Sequence, residues 1–100
     1  MGLVRPPSRA TLRKYGLTYS TWDKIWNAQG QKCGLCGGQH NKWFVEHEHT
    51  KQYSKMPSEI RSMYVRGIVG FVCNKFLIGK HTLTTARLVV KYLESYEARR

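Results

Sequence analysis

The sequence predicts a small α+β domain: two short strands, flanking helices and a cysteine knuckle. Three observations point to it. Apolar residues recur at helical spacing in two places, Trp22, Ile25 and Trp26, and later Ala86, Val89, Val90, Leu93 and Tyr96. Between them lie two short β-prone runs, one beginning at Trp43 and one spanning Val65 to Val69. Ahead of the first run stands Cys33-Gly34-Leu35-Cys36, followed by Gly37-Gly38. Glycines at such places let the backbone turn until both thiolates face one ion.

The elements follow in chain order. Met1 to Pro7 reads as a flexible basic arm, and residues 8–100 as a single domain, the count that 100 residues allow. Ser8 can cap a helix running to about Tyr15, which Gly16 ends. Thr18 or Ser20 can cap the next helix, with Ser20 and Asp23 spaced as a capping box and Gly30 closing it. Its tryptophans are expected to pack in the core rather than stack on bases. Lys51 to Ser62 is polar, contains Pro57, and reads as a loop with room for one helical turn. Cys73 to Ile78 is too short for an independent helix but can start one, ended by Gly79. The last helix covers about Thr84 to Glu97, and Arg99 and Arg100 suit its C-terminus.

The chain carries 17 Lys and Arg against 6 Asp and Glu, a formal charge of +11. That imbalance points to a polyanionic partner, usually nucleic acid. No apolar run approaches the roughly 18 residues of a membrane span, and no secretory signal precedes the domain. With three cysteines, an odd number, a disulfide framework is not expected, and the cytoplasm is the expected compartment. The partner of the first knuckle is Gly70-Phe71-Val72-Cys73, with glycine where a second cysteine would complete a four-thiolate zinc site. Cys33, Cys36 and Cys73 are therefore the candidate zinc ligands. A redox role for Cys33 and Cys36 lacks the βαβ surroundings it needs.

Two of the six acids, Glu46 and Glu48, alternate with two of the four histidines, His47 and His49. Carboxylate oxygen is a hard ligand suited to Mg²⁺, and a neutral imidazole can take a proton from water near neutral pH. Together they point to metal-assisted phosphodiester hydrolysis. The alternative is a solvated strand end. In a regular strand Glu46 and His47 face opposite sides, so the catalytic reading requires the strand to bend or end there.

Several stretches resemble the phage recombination endonuclease VII family of His-Me finger (HNH) nucleases. They are Lys14 to Thr18, Ala28 to Gly37, Phe44-Val45-Glu46-His47-Glu48-His49, Val65-Arg66-Gly67-Ile68-Val69, and Cys73-Asn74-Lys75 followed by Gly79. The similarity covers roughly residues 10 to 97, with a longer loop between His49 and Val65. The resemblance implies a ββα-metal finger whose two knuckles are pinned by Zn²⁺. It further implies that Glu46 and Asn74 hold a catalytic Mg²⁺ or Mn²⁺, that His47 is the general base, and that His49 places the scissile phosphate or the metal. The products implied are 5′-phosphate and 3′-hydroxyl ends. Arg66 and Lys75 are candidates for phosphate contact.

Two positions depart from the family pattern. Glu46 stands where the family has Asp, one methylene longer. Gly70 removes a thiolate, leaving three outcomes: three thiolates plus water, a substitute ligand, or no zinc. His40 and His81 are the available substitutes, with His40 expected to be an exposed loop residue. A cysteine restored at position 70 is expected to stabilise the zinc-loaded protein.

The sequence thus favours a Mg²⁺-dependent DNA endonuclease acting on branched or nicked duplex DNA with limited sequence specificity. It would act in the host cytoplasm if phage-encoded, with a homodimer as the candidate assembly. The alternatives are an inactive DNA-binding module of the same fold and, less in keeping with the charge, a zinc-knuckle adaptor for proteins.

Overall fold

A computed structural model describes residues 5–99. The order is α1 (Arg9–Lys14), α2 (Tyr19–Ala28), β1 (Trp43–His47), a 3₁₀ turn (Tyr53–Lys55), α3 (Ser58–Ser62), β2 (Val65–Gly70), a π-helical segment (Cys73–Ile78) and α4 (Leu83–Arg99). This is the α+β class expected. Residues 1–4 of the expected basic arm, and Arg100, expected at the C-terminus of the last helix, lie outside the described residues.

Local chemistry sets the helix boundaries. Ser8 caps α1, its hydroxyl accepting from the Thr11 amide. The chain leaves α1 through Gly16 at φ 69°, a conformation that favours glycine. Position 16 also requires the absence of a side chain, because a Cβ there would lie 2.0 Å from the Ser58 carbonyl oxygen of α3. The cap of α2 is Thr18, in a reciprocal box with Thr21 rather than between Ser20 and Asp23. Thr21 donates to the Thr18 carbonyl and accepts the Thr18 amide, so hydroxyls meet both ends of the box. The polar segment before β2 holds two short helical pieces where one turn was expected.

β1 and β2 form an antiparallel pair, with Val45 opposite Ile68 and Glu46 opposite Gly67. The register slips between Glu46 and His47, the irregularity that the strand-end chemistry requires. Helices α1 and α2 close one face. Leu12, Leu17, Trp22, Trp26, Val45 and Ile68 make up the main core, with Tyr15, Ile25, Trp43 and Val65 packed around it. The α2 tryptophans are therefore core residues; Trp22 stacks on Trp26 at 5.6 Å and Trp26 meets Trp43 edge-on at 4.7 Å. Cys33, Val69 and Cys73 form a second buried cluster, which Trp43 joins to the first.

One connection was not expected from sequence. Gln29, following α2, accepts the Ile68 amide at 2.8 Å and donates to the Ile68 carbonyl at 2.8 Å and the Lys32 carbonyl at 2.9 Å. The side-chain amide pairs with β2 as another strand would, and covers its free edge. Gly67 and Gly34 are small because of it: a Cβ would fall 2.8 Å and 3.0 Å from Gln29 Oε1.

The final helix departs from expectation in its packing. No residue of α4 is buried, and Leu88, Val90, Tyr92 and Leu93 are more than half exposed. The radius of gyration, 15.4 Å, exceeds the about 13 Å of a compact 100-residue chain, as a helix standing away from the core requires. The apolar stripe on α4 contributes little to this core.

Gln29→Ala should destabilise the domain by about 2 kcal/mol, because it strands the Ile68 amide and leaves the Ile68 carbonyl with the Gly34 amide alone. Urea unfolding followed by tryptophan fluorescence measures this. Loss below about 0.5 kcal/mol would show that water replaces the side chain without penalty.

Candidate active site and metal cluster

The sheet delivers two groups of polar side chains. At the end of β1, Glu46 is 3% exposed, the one buried charged residue among those described. A lone buried carboxylate is costly, and Arg66 of β2 compensates it. Arg66 Nε donates to Glu46 Oε1 at 2.8 Å, and Nη2 donates to Oε2 in a short charge-assisted bond. The same guanidinium donates through Nη1 to the His81 carbonyl at 2.6 Å. The Arg66 side chain is 29% exposed and its donors point into the protein. Arg66 thus holds Glu46 and the segment leading into α4, a placement different from a free phosphate-binding arginine. Glu46 and Arg66 border a cleft of about 270 Å³ shared with Gln29, Gly34, Gly67 and Ile78.

Past the register slip, His47 sits in a stack of rings. Its centroid is 4.7 Å from His49 and 4.3 Å from Tyr53, both nearly parallel to it, and 5.4 Å from Tyr15. Tyr53 lies on the loop that is longer than the family pattern, and its hydroxyl donates to the Arg61 carbonyl. Burial under these rings lowers the His47 pKa from its ordinary 6.5. The charge of His49 pushes the same way, Glu46 opposes, and Arg66 adds to the lowering. The result favours the neutral imidazole, the form that accepts a proton. Tyr53 carried no sequence signal, since a tyrosine in a polar loop has no periodicity to betray its target.

Asn74 occupies the π-helical segment beside Cys73 and is half-buried. Lys75 lies over the rings of Phe71 and Phe76, each at 5.6 Å. Glu48 and His49 are exposed. Glu46 and His47 share one end of the sheet, while Asn74 and Lys75 follow the other end of β2.

The second group is a cluster of ligand atoms. Those of Cys33, Cys36, His40 and Cys73 all lie within 4.8 Å of one another, an arrangement that can hold a structural zinc. His40 is accordingly half-buried rather than the exposed loop residue expected. The physical reason is Gly70: a Cβ there would lie 1.9 Å from His40 Cγ, in space that the ring fills. A cysteine at position 70 would therefore collide with His40 rather than simply stabilise the cluster. His81, the other substitute considered, bonds Thr85 at the start of α4 through Nδ1. Burial raises the Cys33 thiol, but the amides of Cys36, Gly70 and Leu35 outweigh it and bring its pKa down to about 6. Burial, followed by hydrogen bonds with Cys36 and Cys33, pushes Cys73 up to about 12. Zinc binding would displace the thiol protons that remain.

Arg66→Ala should cost about 3 kcal/mol, the low end for breaking a buried pair because Arg66 is partly solvated. In the double variant with Glu46→Gln the loss should shrink, since the orphaned charge is gone. Denaturant unfolding of the two single variants and the double variant measures the coupling; additive losses would show that the pair contributes no interaction energy.

No curated protein and no solved structure matches the chain significantly. A family model described as recombination endonuclease VII matches residues 8–95, which contain the sheet, the Glu46–His47 strand end and the cysteine cluster. The chain belongs to the recombination endonuclease VII family.

Proposed function

We propose that the protein is a metal-dependent DNA endonuclease in which His47 is the general base. The observation that carries this reading is His47 at the slipped end of β1, stacked on the rings of His49 and Tyr53 with its pKa lowered by burial, beside a buried carboxylate. The donors this reading calls on, Glu46 from the end of β1 and Asn74 from the segment after β2, suit Mg²⁺ or Mn²⁺ in kind. A carboxylate offers about four lone-pair sites, of which Arg66 uses two on Glu46, and the Asn74 amide oxygen is a neutral hard ligand. Glu46 and Asn74 would hold the ion, which would supply Lewis-acid stabilisation of charge on the phosphate and the leaving oxygen.

The chain's own groups perform the remaining work. His47 takes the proton from the attacking water, and the flanking rings keep the imidazole from turning away. His49, exposed beside it, orients the scissile phosphate. The surplus of 11 positive charges draws in the DNA backbone, with Lys75 as a phosphate contact. Hydrolysis leaves 5′-phosphate and 3′-hydroxyl ends. No helix among the described residues is long and apolar enough to cross a membrane. The proposed setting is the cytoplasm, that of the host cell if the chain is phage-encoded.

The substrate reading is branched or nicked duplex DNA, cut by a homodimer. Its support is α4, 17 residues or about 25 Å long, whose Leu88, Val89, Val90 and Leu93 are exposed. A second copy offers the same stripe, and two symmetric chains can make the paired cuts a junction requires. Sedimentation should give a dimer, and Leu93→Glu should shift it toward monomer. A monomeric wild-type chain across micromolar concentrations would refute this part.

Supercoiled plasmid with Mg²⁺ or Mn²⁺ tests the activity. Wild type should convert it to nicked circles, and His47→Ala should lose at least about 100-fold, the usual contribution of a general base. The sign of the pH dependence follows from the lowered pKa. His47 is deprotonated and active above that pKa and is protonated as pH falls through it, so the acid limb should lie below 6.5. The Arg66–Glu46 pair favours a second reading, a non-catalytic DNA-binding module in which the carboxylate is structural. Salt-sensitive DNA binding, with wild type and His47→Ala equally inert under both metals, would establish it.

A further inference from the structure

We infer that His40 is the fourth ligand of a structural zinc, completing a Cys₃His site with Cys33, Cys36 and Cys73. Gly70 and His40 form one coupled exchange, in which the missing side chain at 70 is the condition for the imidazole to enter.

The distances fit the ion. His40 Nε2 is 3.2 Å from Cys36 Sγ and 3.9 Å from Cys73 Sγ. Around tetrahedral Zn²⁺, with Zn–S of about 2.3 Å and Zn–N of about 2.05 Å, a sulfur–nitrogen edge is about 3.6 Å. The two observed edges bracket that value. The ring is presented through Nε2, and its plane is set by an edge-on contact with Trp43 at 5.4 Å. Trp43 is held by Trp26 of the main core, so the orientation of the ligand is built into the fold.

Gly70 keeps the backbone part of a knuckle while lacking its thiolate. Its amide donates to Cys33 Sγ at 3.5 Å, as the Gly38 amide does to Cys36 Sγ at 3.3 Å. A side chain at 70 is excluded by three ring atoms at once: a Cβ would lie 1.9 Å from His40 Cγ and 2.2 Å from both Cδ2 and Nδ1. A cysteine at 70 and the imidazole in this position are therefore mutually exclusive. The nearest alternatives are poorer. His81 is engaged by Thr85, and water as fourth ligand would leave open a site that structural zinc closes with protein.

The exchange predicts a non-additive pattern. In Gly70→Cys alone, the new Cβ displaces His40, so the protein should lose thermal stability relative to wild type. In His40→Ala alone the site loses a ligand, and zinc affinity should fall by at least about tenfold, the scale on which even outer-shell partners act. In the double variant His40→Ala/Gly70→Cys a four-thiolate site becomes possible, and zinc retention after dialysis should return toward one ion per chain.

X-ray absorption on the zinc-loaded wild-type protein needs no variant and reads the ligand set directly. It should fit three sulfurs at about 2.3 Å and one nitrogen at about 2.0 Å, with outer-shell scattering from one imidazole. Cobalt substitution checks it, because thiolate-to-cobalt charge-transfer intensity follows sulfur count and should rise by about a third from wild type to the double variant. Imidazole scattering absent from the wild-type spectrum would overturn the inference, as would Gly70→Cys matching wild type in stability and zinc affinity. None of these readouts involves DNA cleavage, so their failure leaves the nuclease reading standing, and an inert enzyme leaves the zinc assignment standing.

Discussion

The meeting of Cys33, Cys36, His40 and Cys73 at one point is the constraint on which the rest of the molecule depends. It joins the loop after α2 to the residues following β2, about forty positions later in the chain. Among the described residues the main core contains six buried apolar side chains. A core of that size leaves a small domain marginal, and a cross-link between distant segments offsets much of the chain entropy. Trp43 makes the two halves one body, since one face of its ring meets core Trp26 while another part meets ligand His40.

That clasp also positions the chemistry. It fixes the outer end of the hairpin, where Trp43 pairs with Gly70, and so leaves the opposite end to carry Glu46 and His47. Glu46, directly across from Gly67, reaches along β2 to Arg66, the residue before that glycine. The added methylene is thus accommodated by pairing rather than by exposure. Beyond the slip, His47 turns into the rings of Tyr15 and Tyr53, contributed by α1 and by the extended loop. Three separate segments meet at that imidazole, and each is anchored by packing or hydrogen bonding of its own.

Much of this was legible in the sequence, and the reason differs by element. Caps and glycines mark α1 and α2 because their chemistry is local. The strands were legible from β-propensity, and the cysteine spacing from coordination geometry. What escaped depends on long-range contact. Gln29 is an ordinary polar residue until β2 lies beside it, and Tyr53 is an ordinary loop tyrosine until it covers His47. His40, named in the sequence only as one of two substitutes and expected to be exposed, enters the cysteine cluster where position 70 has no side chain. The α4 stripe shows the converse: periodicity establishes that a helix has an apolar face, but not whether the same chain covers it.

The opposed charges in the molecule are resolved at Arg66. With 17 basic side chains against 6 acidic ones, any carboxylate near the surface would attract a lysine or arginine before it attracts an ion. Glu46 is removed from that competition by burial, and a single arginine from the neighbouring strand neutralises it. That arginine also holds the His81 carbonyl just before α4, through Nη1, while Nε and Nη2 serve Glu46. The buried carboxylate and the segment leading into α4 are therefore both anchored on one guanidinium.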